Sequence, residues 1–139
     1  SAIDKEKREK EYKEDTLYEF ILNEIHPLIK MRYRINNYIY SFACSKACYT
    51  ALKLAYSNEF KGAVLLSPIG NFKKISRPTQ TKLIYISAGK KELDGLTIKN
   101  IADIKQEYDL VHIVLNDNQN HDESAWKELT YEALNFLIL

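Results

Sequence analysis

The sequence predicts an α/β fold: a three-layer sandwich on a short, mostly parallel sheet of about four strands. Three observations lead there. Four segments, Tyr38–Ala43, Gly62–Leu66, Lys82–Ser87 and Leu110–Leu115, are short, rich in Ile, Val, Leu or Tyr, and apolar on both faces. That is the pattern of parallel strands covered on both sides. Helical patterns lie between them, so strand and helix alternate along the chain. The length of 139 residues suits one domain. A chain of this size buries about two-thirds of its unfolded surface, enough for a core without disulfides or metals.

The elements follow in chain order. Residues 3–14 (IDKEKREKEYKE) form a mixed-charge run with little apolar periodicity, read as a charged helical arm over residues 1–15. Residues 16–139 form the single domain. Thr16-Leu17-Tyr18-Glu19 reads as a capping box, with Thr16 as N-cap and Glu19 reaching back. Leu17, Phe20, Ile21, Ile25, Leu28 and Ile29 then repeat at helical spacing, predicting a helix over 16–32 that Pro27 should kink. Further helices are expected at Lys46–Asn58, with Ala47, Ala51, Leu54 and Ala55 inward, and at Ile98–Tyr108. The last, Glu123–Leu139, carries a stripe of Trp126, Leu129, Ala133, Leu134 and Leu137.

Composition excludes several function classes. Lys and Arg number 20 against 19 Asp and Glu, a net charge of +1, so no global field draws the chain to nucleic acid or an anionic membrane. The 10 tyrosines lack the basic stripe of a base-stacking platform. With 4 Gly and 3 Pro, collagen-like and linker-like readings fail. There is no apolar run of about 18 residues and no signal-peptide pattern. Cys44 and Cys48 read as buried thiols of a reducing compartment, and a cytoplasmic location is expected. The other soft ligands are His26, His112 and His121; His26 and His112 look structural, and no metal or cofactor is expected. No G-x-G-x-x-G or Walker pattern supports a nucleotide site.

The most informative stretch is Tyr38–Leu52, where a buried strand meets a helix with almost no loop. Ser45 stands at the bend, with Ala43 and Ala47 two residues to either side. A nucleophile elbow needs this arrangement, because the turn is sharp and those neighbours must be small. The helix behind Ser45 directs its N-terminal N–H groups toward any oxyanion formed there. A structural serine capping that helix is the competing reading.

Ala43-Cys44-Ser45-Lys46-Ala47-Cys48-Tyr49-Thr50-Ala51-Leu52 resembles the G-H-S-M-G-G-Y-G-A-L elbow of one esterase group in the α/β-hydrolase superfamily. That group includes esterase-D-like, tributyrin-esterase-like and enterochelin-esterase-like enzymes. Phe60–Pro68 resembles the next strand with its Ser-Pro end. Lys82–Gly89 followed by Lys90-Lys91-Glu92 resembles the strand that ends in a G-x-x-D loop, with Glu92 at the acid and Asp94 as the fallback acid. Asn120-His121-Asp122 and the helix through Trp126 and Phe136 resemble the G-H-D-W segment that supplies the histidine. The match covers roughly 16–139, and its order of nucleophile, acid and histidine is the order this fold uses. The resemblance implies acyl transfer from a small ester. Ser45 is the expected nucleophile, His121 the base, Glu92 the residue holding the imidazole, and the Lys46 backbone N–H an oxyanion donor.

The sequence also departs from that family. Ala43 and Ala47 replace the elbow glycines, Glu92 replaces Asp, and Asn120 stands where Gly is preferred. Only a helix precedes Tyr38, where the full fold has several strands and the loop with the second oxyanion donor. The chain therefore resembles the C-terminal half of a truncated α/β-hydrolase fold. Losing one oxyanion donor costs about 10²–10³ in rate, so the chain alone is expected to be a poor esterase. Strand Tyr38–Ala43 would lie at an exposed apolar edge, which favours a homo-oligomer or a partner that completes the sheet. The alternative function is a catalytically silent fragment serving as an interaction or assembly module.

Overall fold

A computed structural model describes residues 6, 7, 10, 15–92, 95–105, 110–117 and 119–138. Most of the expected charged arm over 1–15, the end of the expected helix Ile98–Tyr108, and Asp94 lie outside the described residues. Helix α1 is α-helical over Thr16–Phe20, π-helical over Ile21–Ile25 and α-helical over His26–Arg32. There follow β1 (Tyr40–Cys44), a 3₁₀ turn (Ser45–Ala47), α2 (Cys48–Ala55), β2 (Gly62–Leu66) and β3 (Leu83–Gly89). A second 3₁₀ turn (Phe72–Lys74) lies between β2 and β3, and a third (Lys90–Glu92), α3 (Gly95–Ile104), β4 (Leu110–Asn116) and α4 (Glu123–Ile138) complete the order.

The four strands form one sheet in the order β1-β2-β3-β4, and every neighbouring pair is parallel. A sheet that grows in one direction through crossovers of one hand collects its connecting helices on one face. The packing agrees. Ala63 and Leu65 of β2 and Ile84 and Ile86 of β3 meet Ala51, Leu52 and Ala55 of α2 and Ile104 of α3. The alternate residues Val64, Leu66 and Tyr85 meet Leu129, Ala133 and Leu137 of α4 on the other face. Burying each Leu or Ile contributes about 1.5–3 kcal/mol, and these two clusters hold the three layers together.

Two local contacts fix the sheet's entry side. Ser41 Oγ donates to the Ala51 carbonyl at 2.7 Å, tying β1 to α2. Lys82 is buried beside β3, and its Nζ donates to the Ser57 and Phe60 carbonyls at 2.8 and 2.7 Å, past the end of α2.

Several expectations are corrected. Thr16 is not an N-cap: the residue before the helix is Asp15, which makes no side-chain capping bond. Its carboxylate instead pairs with Lys53 Nζ at 2.7 Å, so an ion pair to α2 replaces the cap. Pro27 follows a π-helical turn, whose wider ring accommodates the missing N–H. The apolar stripe of α1 is largely uncovered, since His26 is its one buried residue. β4 is an edge strand with Leu110 and Leu115 exposed, not a strand covered on both faces. Leu134 points out of α4, whereas Ala125 is buried. Cys44 is half-buried; only Cys48 is fully buried.

Candidate active site

The site lies at the carboxyl ends of the strands, where open parallel sheets place their ligands. Ser45 follows β1, Ser67 follows β2, Glu92 closes the turn after β3, and His121 follows β4. Ser45 has φ 56°, a left-handed backbone that costs a non-glycine residue about 1–2 kcal/mol. A direct passage from strand into helix imposes it: Cys44 is extended, and the residues after Ser45 are helical. The Ile69 N–H donates to the Ser45 carbonyl at 3.3 Å and helps hold the bend.

Two ring nitrogens connect the predicted residues. His121 Nε2 lies 2.9 Å from Ser45 Oγ, and His121 Nδ1 lies 2.9 Å from Glu92 Oε2. An ionised carboxylate only accepts, so Nδ1 carries the proton toward Glu92 and Nε2 accepts from the serine hydroxyl. Glu92 is nearly buried, with 11% of its side chain exposed, against 33% for His121. Its second oxygen, Oε1, accepts from the Gly89 N–H and from Ser67 Oγ, both at 2.6 Å. The carboxylate is therefore held from both ends.

Gly89 has a steric role. A Cβ there would stand 2.5 Å from the Gln119 carbonyl carbon and 3.1 Å from the Asn120 nitrogen. Only glycine lets the segment before His121 come this close to the end of β3. Asp122 then starts α4: its Oδ1 accepts from the Ala125 N–H at 3.0 Å and from Ser124 Oγ at 2.6 Å. Those bonds, the Ser124 hydroxyl first, hold the Asp122 carboxyl below its ordinary value. His121 is thus pinned between a close backbone contact and a capped helix.

Trp126, on the first turn of α4, meets the His121 ring edge-on at 5.1 Å and 88°. Its Nε1 donates to Ser67 Oγ at 2.9 Å. Burial, with help from the Glu123 carboxylate, pushes the Cys44 thiol up, and burial pushes the Cys48 thiol well up. Neither cysteine is a thiolate nucleophile at neutral pH. Among the described residues, no three His, Cys, Asp or Glu side chains gather as metal ligands, and no helix is long and apolar enough to cross a membrane.

Ser45, Glu92 and His121 are thus brought into one hydrogen-bonded line, and Lys46 directly follows Ser45 in the 3₁₀ turn. Asp94 is outside the described residues. Sequence reasoning missed the contributions of Ser67, Gly89 and Asp122, and it placed Trp126 in the apolar stripe and in the segment that supplies the histidine without assigning its N–H a partner. Asp122 was the most readable of these, an Asp just ahead of an apolar helical stripe.

The sequence matches no protein-family model and no curated protein. In structure, the chain is similar to an S-formylglutathione hydrolase from Agrobacterium tumefaciens, with a TM-score of 0.66 and 16% sequence identity. The similarity covers 87% of this chain and 56% of that one, so the chain spans little more than half the hydrolase's length. This chain has an α/β fold, a four-stranded parallel sheet between helices, similar to that of a hydrolase.

Proposed function

We propose that the chain carries a serine-hydrolase site of esterase type, passing an acyl group from a small ester to Ser45 and then to water. The observation that carries the reading is the unbroken line from Ser45 through His121 to Glu92, built on a serine with a left-handed backbone. Ser45 Oγ attacks the ester carbonyl carbon as His121 Nε2 takes its proton. Glu92 holds the resulting imidazolium through Nδ1–H. The Lys46 N–H, next after the nucleophile, donates to the oxyanion. Collapse breaks the ester C–O bond, and His121 returns the proton to the leaving alcohol. Water, deprotonated by His121, then attacks the acyl-serine and releases the acid.

The test is intact-mass analysis after treatment with a fluorophosphonate, with Ser45→Ala alongside. The expected result is one adduct on the parent protein and none on the variant, with hydrolysis of short-chain nitrophenyl esters lost in the variant as well. Turnover that survives Ser45→Ala would remove the reading.

The second reading, an assembly module without turnover, draws on the other end of the sheet. β1 is an edge strand with Phe42 exposed, and Tyr38 beside it is 70% exposed. A groove of about 580 Å³ opens next to it, lined by Ile21, Ile25 and Ile29 of α1 with Ile35, Tyr38 and Phe60. A second copy, or a partner carrying strands, would cover this surface and complete the sheet. Absence of any fluorophosphonate adduct together with a stable oligomer would favour this reading over the first.

A further inference from the structure

Ser67 is the second strained serine of the site. It follows the last residue of β2, is buried, and has φ 51°. Glycine would take this conformation without penalty, whereas serine takes it at about 1–2 kcal/mol. Its N–H donates to the Ser87 carbonyl at 2.6 Å, which holds the turn against β3. In that position its hydroxyl serves two partners, donating to Glu92 Oε1 at 2.6 Å and accepting from Trp126 Nε1 at 2.9 Å.

These contacts close a ring. His121 bonds Glu92, Glu92 bonds Ser67, Ser67 bonds Trp126, and the Trp126 ring lies edge-on against His121. A glutamate has one more rotatable bond than an aspartate, so it loses more freedom when held in one geometry. Two donors on Oε1, the Ser67 hydroxyl and the Gly89 N–H, leave Oε2 facing the imidazole.

We propose that Ser67 is a positioning residue: its strained backbone aims a hydroxyl that, with Trp126, clamps Glu92 against His121. The proposal deepens the serine-hydrolase reading and rests on it for its kinetic consequences. Its geometric content, the hold on the Glu92–His121 pair, can be measured without turnover.

The test compares the parent protein with Ser67→Gly and Trp126→Phe. Ser67→Gly deletes the hydroxyl and relieves the backbone, so the variant is expected to fold. Trp126→Phe keeps an aromatic ring but removes the N–H donor. The first readout is the low-field proton resonance of His121 Nδ1–H, which a held hydrogen bond to Glu92 protects from exchange. It is expected in the parent protein and lost or broadened in Ser67→Gly. The second is the rate of fluorophosphonate labelling, expected to fall on the order of 10-fold to 100-fold in Ser67→Gly with KM for a nitrophenyl ester unchanged. Trp126→Phe should move both readouts the same way by less, and it carries the test if Ser67→Gly does not fold. A variant that keeps the resonance and labels at the parent rate overturns the proposal. If the parent protein is not labelled, the serine-hydrolase reading fails, and the resonance alone decides whether Ser67 holds the pair.

Discussion

Gly89→Ala tests whether close packing behind the site holds His121 in place. The added Cβ would meet three backbone atoms, the Gln119 carbonyl oxygen, its carbon at 2.5 Å and the Asn120 nitrogen at 3.1 Å, where ordinary contact begins at 3.4 Å. No side-chain rotation relieves a clash with backbone, so the segment must withdraw by roughly 1 Å. Overpacking of this kind costs about 1–3 kcal/mol, or a fall in Tm of about 3–12 °C for a domain of this size. The moving segment leads directly into His121, whose two hydrogen bonds are each 2.9 Å long. Lengthening either by roughly 1 Å takes it out of hydrogen-bonding range, and displacements of that size lower rates on the order of 100-fold. Thermal unfolding and the fluorophosphonate labelling rate measure the two effects on one sample. Gly70→Ala is the control, because its Cβ would meet only side-chain atoms, at 3.4 Å and beyond. A Gly89→Ala protein with the parent Tm and labelling rate would refute the steric reasoning.

Three further outcomes are expected. Asp122 is held below its ordinary value of 3.8 in the folded protein, so its contribution to stability is present above that pH and is lost as the pH falls through the lower folded value. Asp122→Ala should therefore have a lower Tm than the parent at neutral pH, and the gap should close in acid; a gap that is constant with pH would count against the cap. Lys82→Met strands the buried Phe60 carbonyl, at about 1–3 kcal/mol, and takes a donor from the part-buried Ser57 carbonyl, so it should lower the urea midpoint; an unchanged midpoint would show that water replaces the ammonium. Light scattering at micromolar concentration should give a mass above that of one chain if β1 pairs with a second copy, and a monomer mass would rule that out.

The sequence by itself determined the class and order of the elements. β2 lies at Gly62–Leu66 as its apolar run predicts, and β3 and β4 extend past their expected ends by two residues and one. These signals are local: side-chain periodicity and a strand meeting a helix at Ser45 can be read within a few turns of chain. The candidate nucleophile was legible at that bend, whereas the candidate acid and histidine were legible only through their order within a family resemblance. Nothing local states that residues 76 apart, Ser45 and His121, come within 2.9 Å. Tertiary structure decided what depends on neighbours distant in sequence. It made β4 a second edge beside the one expected at β1, left the α1 stripe uncovered, and spent Asp15 on an ion pair in place of a cap at Thr16. It also turned Ser67, to the eye a strand-end serine before a proline, into a hydroxyl between Glu92 and Trp126. Ordinary residue types adopt a left-handed backbone or a buried bridge only where surrounding contacts over-determine them, and those contacts exist only once the sheet has formed.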